Sequence, residues 1–300
     1  MYFKKNKLFI EKVDALKIVR KYGTPTYCYS LNRLRNNIRN FQQSFKSISP
    51  LICFSVKSNN NRQILKEIKK SGVGADVVSK GEMLQALKAG ILPKKIVFSG
   101  VGKKTEELKF AIEKKILLIN AESESEIFEI ERLAKLKKKI VNIGIRLNPN
   151  IDAKTLKKIS TGKHEDKFGL TEKAFLKILN KFEDSKYVKV KCLSVHIGSQ
   201  ITDYKPYLKM LNVLDLIIKK SKYIFEYVDL GGGMGIQYDR KTKVFNYKKY
   251  NKIIKKFLKK HNVKIIFEPG RSIIGNTGLL VSKVQFIKKG VNKIFIILDA

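Results

Sequence analysis

Cysteine, histidine, arginine and acidic residues are all scarce in this chain of 300 residues, and each scarcity excludes something. Its three cysteines, Cys28, Cys53 and Cys192, stand singly in apolar surroundings, an odd count that rules out a disulfide framework and fits a reducing cytoplasm. The three histidines, His164, His196 and His261, lie far apart and no cluster has metal-ligand spacing, so no metal is expected. Every apolar run is broken by Lys, Asn or Gly well short of the roughly 20 residues that a membrane span needs. The opening MYFKKNKLFIEK interleaves lysine with apolar residues and shows no export signal. What remains is a chain with 43% apolar and 10% aromatic side chains, enough for a large core and incompatible with a disordered or fibrous protein. A soluble cytoplasmic protein is expected, with no membrane partner.

The shortage of acidic residues, 26 against 63 basic, gives a formal charge of +37 and raises the question of nucleic acid. Only nine of the basic residues are Arg, the side chain best suited to base and phosphate forks, and the lysines are scattered over almost every segment. No helix-turn-helix, zinc-finger or aromatic RNA-binding signature accompanies them. Lysine together with abundant Ile and Asn is also what AT-biased coding would produce. The expectation is no specific nucleic-acid partner, with weak electrostatic binding at low salt.

Short apolar runs alternate with helical periodicity along most of the chain. Eight candidate strands fall at 51–56, 75–78, 96–99, 117–120, 141–147, 192–197, 227–230 and 264–268. Between them, Ile127, Ile130, Leu133 and Leu136 follow a Ser123 to Glu126 capping box, and Phe175, Ile178, Leu179 and Phe182 follow a cap at Thr171. Tyr207, Met210, Leu211, Leu214 and Ile217 make a third stripe. Eight buried-type strands separated by helices predict an α/β protein of the (β/α)8 barrel class. Residues 1–30, with a strand candidate at TPTYCY, and residues 279–300, read as two β-type runs joined by a Lys-Gly turn, fall outside the repeat. They are expected to contribute to a second, β-rich domain flanking a barrel at 31–278. The chain ends within an apolar run, which predicts that the C-terminal domain is incomplete.

Barrel active sites form at the C-terminal ends of the strands. The polar residues there are Lys57 after the first strand, Asp76 in the second, Arg146 in the fifth, His196 in the sixth, Gly231, Gly232 and Gly233 after the seventh, and Glu268 after the eighth. The glycines fail the dinucleotide pattern because Ile236 stands where its last glycine belongs, and Val97 occupies the opening position of a phosphate loop at GVGKKT. Glycine turns after strands seven and eight instead match the usual barrel phosphate site. His164 in a polar stretch and His261 at a helix end read as solvated. Asn59, Asn60 and Asn61 read as the turn into a helix.

FSVKSNNNRQIL, GADVVSKGEMLQALKAG, VHIGSQ, VDLGGGMGI and EPGRSIIGNTG occur in the order and spacing of the fold-type III pyridoxal-phosphate decarboxylases, which this chain resembles from about Tyr22 onward. Within them it is most similar to the branch that converts meso-diaminopimelate to L-lysine and CO2. The resemblance implies a pyridoxal 5'-phosphate cofactor held as an imine by Lys57, with His196 stacked on its ring and Glu268 at the pyridine nitrogen. Ser199, Gly231, Gly232, Gly233 and the Pro269, Gly270, Arg271 turn would hold the phosphate, and Arg271 would also meet a substrate carboxylate. Asp76 and Arg146 would form a supporting ion pair. A small amino acid is the implied substrate and a homodimer with a shared active site the implied assembly, since the family's Cys-Glu pair, second substrate Arg and Tyr residues lie in the C-terminal domain. Related decarboxylases of arginine, ornithine or carboxynorspermidine remain open, as does a non-enzymatic pyridoxal-phosphate carrier. A racemase is disfavoured, because the resemblance implies an arginine at the ring nitrogen there.

Overall fold

A computed structural model describes residues 2–153, 161–163, 165–239 and 241–300. The chain opens with a small antiparallel sheet, β1 (Tyr2–Lys4), β2 (Lys7–Ile10) and β3 (Val13–Asp14), then α1 (Ala15–Tyr22) and β4 (Thr26–Tyr29). The repeat follows: α2 (Leu31–Phe45), β5 (Leu51–Ser55), α3 (Arg62–Lys70), β6 (Gly74–Val77), α4 (Lys80–Lys88), β7 (Ile96–Phe98), α5 (Thr105–Lys114), β8 (Leu118–Ala121), α6 (Glu124–Leu136) and β9 (Val141–Arg146). It continues through α7 (Glu172–Phe182), β10 (Val188–Ser194), α8 (Lys205–Ser221), β11 (Tyr227–Asp229), α9 (Tyr247–Leu258), β12 (Lys264–Phe267) and the single turn α10 (Arg271–Ile274). Strands β13 (Gly278–Val281), β14 (Val284–Lys289) and β15 (Ile294–Leu298) end the chain.

Strands β5 to β12 pair in parallel and in sequence order, and β12 returns to β5 through Ile266 opposite Leu51 and Phe267 opposite Ile52, closing the barrel. All eight expected strands are present. They were readable because parallel strands covered by helices are buried on both faces and appear as apolar runs. The capped helices also form as read. Ser123 Oγ accepts from Glu126 N at 3.2 Å, Thr171 caps α7, and Asn61 Oδ1 accepts from Gln63 N at 2.9 Å to open α3.

The ends of the chain meet outside the barrel, β4 pairing antiparallel with β13. Residues 279–300 contain parts of three strands, not two, because LLVS joins β4 while β14 and β15 form their own hairpin. The β1–β3 sheet was not anticipated. Its strands are only two to four residues long, with a single lysine in each of the first two, a weak pattern for any period. Among the described residues no helix is long and apolar enough to cross a membrane.

The barrel interior explains where the site lies. Cys53, Val97, Leu118, Cys192 and Ile266 form a separate buried cluster, one from each of five strands. Side chains two residues further along a strand point the same way, and at those positions the sequence changes to Ser55, Ser99, Asn120, Ser194 and Glu268. One more step brings Lys57, Glu122 and His196. An apolar floor thus gives way to polar chemistry within two pleats. Gly144 in β9 makes room for this layer, because a Cβ there would collide with the Asn120 side-chain oxygen.

Candidate active site

At the C-terminal mouth a cavity of about 350 Å³ is lined by Lys57, His196, Ser199, Gly233, Glu268, Gly270 and Arg271, together with Ser55 and Tyr238. Lys57 enters it from a single 3-10 turn, Val56–Ser58, directly after β5. Ser58 Oγ ties this turn back to the Ser55 carbonyl at 2.6 Å, and Ser55 N donates to the Pro269 carbonyl at 3.1 Å. The lysine is therefore anchored to the same segment that carries Glu268.

His196 sits half-buried after β10, where Gly232 N donates to its Nδ1 at 3.2 Å. An accepting Nδ1 leaves the ring hydrogen of the neutral imidazole on Nε2. Burial holds the imidazole well below its ordinary pKa, and the positive charges of Lys57 and Arg146 act in the same direction. The ring stays neutral through the physiological range. The glycine turn permits this contact: Gly231 has φ +63°, and a Cβ on it would stand 2.7 Å from His196 Nδ1, while one on Gly232 would strike the Glu268 carbonyl.

Glu268 faces the cavity from the end of β12 and receives a hydrogen bond from Ser99 Oγ at 3.2 Å. Burial, followed by the charges of Asp229 and Asp76, holds its carboxyl well above the usual range. Arg271, the first residue of α10, donates through Nε to Ser199 Oγ at 3.3 Å and through Nη1 to the Tyr238 hydroxyl. The lining of the cavity thus combines a cationic and hydroxylic group with a carboxyl.

The expected ion pair between Asp76 and Arg146 does not form. Asp76 lies under the mouth and accepts from Ser55 Oγ at 2.6 Å, whereas Arg146 turns sideways to Glu122, with Nη1 to Oε1 at 3.0 Å. Glu122 is the better partner because its own shell is prepared: Gly100 N and Gly169 N donate to it at 3.0 and 3.2 Å. Arg146 also stacks over Phe168, 4.8 Å from the ring centroid. His261, expected to be solvated, is buried against Asp215 at 2.7 Å, because the turn after α9 packs on α8. His164 lies outside the described residues.

Five residues of this region were missed from sequence. Glu122, Asn120 and Ser99 close strands β8 and β7 just as His196 closes β10, so strand-end position was a signal for each. Asp229 was available in VDLGGG, beside the glycines. Asn120 Nδ2 reaches Asp229 Oδ2 across the barrel at 2.9 Å. For Tyr238, in a polar loop, no signal existed.

The donor set can be tested against a cofactor. An exposed amine, a half-buried carboxyl, an imidazole and an Arg-Ser pair beside a glycine turn, all lining one cavity, suit a group with an aldehyde, a ring nitrogen and a phosphate. Pyridoxal phosphate has these three features, and the residues present fit it.

The barrel with this mouth defines a cofactor-dependent enzyme acting on a small molecule. Residues 31–275 match the model of the pyridoxal-dependent decarboxylase pyridoxal-binding domain. The chain is 39% identical to diaminopimelate decarboxylase of Zymomonas mobilis, over 99% of this chain and 72% of the relative. A crystal structure of the Helicobacter pylori diaminopimelate decarboxylase complexed with L-lysine superposes with a TM-score of 0.91 at 37% identity, covering 95% of this chain and 73% of that one. A crystal structure of diaminopimelate decarboxylase from M. jannaschii gives 0.92 at 34% identity, covering 100% and 73%. This chain belongs to the pyridoxal-dependent decarboxylases, with pyridoxal 5'-phosphate as cofactor and an amino acid as substrate.

Proposed function

We propose that the protein decarboxylates meso-diaminopimelate to L-lysine, with Lys57, His196 and Glu268 in contact with the cofactor. The observation that carries this reading is the single cavity in which the amine of Lys57, the carboxyl of Glu268 and the guanidinium of Arg271 converge, in a chain 36–39% identical to enzymes named for that substrate. When bound, pyridoxal phosphate supplies an electron sink for the charge left by departing CO2.

The residues divide the remaining work. Lys57 would hold the cofactor through its aldehyde group. Glu268, whose carboxyl burial pushes well above its usual range, would face the ring nitrogen and stabilise negative charge that develops in the ring. His196, held at its Nδ1 by Gly232 N, would cover one face of the ring and exclude water from it. Ser199, Gly231, Gly232, Gly233, Pro269 and Gly270 frame the phosphate end. Arg271, braced by Ser199 and Tyr238, presents its remaining donors to an anion, the phosphate or a substrate carboxylate. Asp76 and Arg146 support the mouth from separate partners.

Residues 1–30 and 279–300 are assigned to a β-rich domain beside the barrel at 31–278, and the working assembly is a cytoplasmic homodimer whose sites are shared between subunits. Steady-state CO2 release by the full-length gene product from meso-diaminopimelate, beside arginine, ornithine and carboxynorspermidine, tests the reading. Turnover on diaminopimelate alone is expected. Preference for another substrate, or cofactor binding without turnover of any, would replace it.

A further inference from the structure

Beneath Glu268 lies a second carboxyl, that of Asp229, wholly buried at the end of β11. The strand pairing sets Asp229 beside Ile266, two residues before Glu268, and Asn120 and Ser99 link the two carboxyls by hydrogen bonds; a direct bond between the carboxyls requires that one of them hold a proton. The distribution of donors says which. Asp229 Oδ1 accepts from Gly231 N at 2.9 Å, and its Oδ2 accepts from Asn120 Nδ2 at 2.9 Å and Ser194 Oγ at 3.4 Å. Glu268 receives one donor among the described residues, Ser99 Oγ, at 3.2 Å. Donors stabilise a carboxylate, so the charge belongs on Asp229 and the proton on Glu268.

We infer that Asp229 is a positioning residue that forms a one-proton pair with Glu268, holding the Glu268 hydrogen in place before the cofactor's ring nitrogen arrives. Asn120 and Ser99 complete the arrangement, since Asn120 Nδ2 also reaches Ser99 Oγ at 3.3 Å. The surroundings favour a single negative charge. Facing the pair are Asp76 on β6, the thiols of Cys53 on β5 and Cys192 on β10, the Tyr250 phenol on α9 and the Lys57 amine. Asp76 opposes a second ionisation and Lys57 is the one cation among them. Burial pushes Asp229 up to about 6 and Glu268 much further, in keeping with that order of proton loss.

The inference rests on Glu268 as the ring-nitrogen partner, but the pair itself can be tested without the reaction. The measurement is a pH titration of the full chain by infrared difference spectroscopy, before cofactor is added, following the C=O stretch of protonated carboxyls. The wild type is expected to keep such a band at pH 8, and Glu268→Gln to lose it. In Asp229→Asn its midpoint should fall by about one pH unit or more, the size of effect that one adjacent charge exerts. If the wild type has no Glu268-dependent band, or the Asp229→Asn midpoint is unchanged, the pair does not exist. Should Asp229→Asn not fold, Asn120→Ala removes one donor from Asp229 while leaving both carboxyls. Its lower step must then rise from about pH 6, and an unmoved step overturns the inference. In the loaded enzyme the alkaline limb of kcat should move down in pH with Asp229→Asn at unchanged KM. An unshifted limb beside a shifted infrared midpoint would refute the role in positioning while leaving diaminopimelate turnover as evidence for the reaction.

Discussion

Arg146→Met isolates one contact that the structure puts in place of an expected one. The side chains of Arg146 and Glu122 are 10% and 2% exposed, so removing the cation leaves a carboxylate buried inside the ring of strand ends. Breaking a buried pair by deleting one partner costs about 3–5 kcal/mol, because the remaining charge loses its compensation. Glu122 retains the Gly100 and Gly169 amides, which places the expectation at the lower end, about 3 kcal/mol. Loss of the guanidinium over Phe168 adds about 0.5–1 kcal/mol. Against a typical total of about 5–15 kcal/mol this is a large fraction. Urea unfolding should show it as a lower midpoint at unchanged slope. The double variant Glu122→Gln with Arg146→Met strands no charge, and it should recover about 2 kcal/mol of the single-variant loss. A loss below about 1 kcal/mol, the value of a surface pair, or strict additivity of the two substitutions, would refute the argument.

Two further outcomes follow from the charges. Glu268→Gln in the full-length enzyme should lower kcat by about 10² or more with KM little changed, because the carboxyl acts on charge that develops only during reaction; steady-state kinetics beside cofactor affinity checks it, and near-normal kcat would remove Glu268 from the chemistry. Asp215 is half-buried and bonded to Lys219, His261 and Lys260, which together outweigh its desolvation and hold it down at about 2. A depressed carboxyl contributes stability above its unfolded pKa of about 3.9. That contribution disappears as pH falls through the folded value, so Asp215→Asn should narrow the stability gap between pH 6 and pH 2 in thermal unfolding scans.

The barrel was legible in the sequence because its strands obey one rule, burial on both faces, and each boundary lay within a few residues of the expected one apart from β10, which starts at Val188. Lys57, His196 and Glu268 were legible as strand-end residues that a barrel must gather at one mouth, and Ser199 and Arg271 only through the motifs that carry the family resemblance. Pairing was not legible. Glu122 and Arg146 are 24 residues apart, and Asn120 and Asp229 are 109 apart. No periodicity links such positions, and an ion pair of Arg146 with Asp76 takes no account of the backbone amides that prepare Glu122. His261 failed for a related reason: a histidine beside two lysines reads as surface until the neighbouring helix supplies an aspartate.

Lys57 is the residue on which cofactor attachment depends. Borohydride reduction of the pyridoxal-phosphate-loaded protein, followed by proteolysis and mass spectrometry, fixes the cofactor to whichever lysine holds it. The pyridoxyl mass should appear on Lys57 alone, with no label in Lys57→Ala. A label on another lysine, or an undiminished one in that variant, would contradict the site and the chemistry built on it.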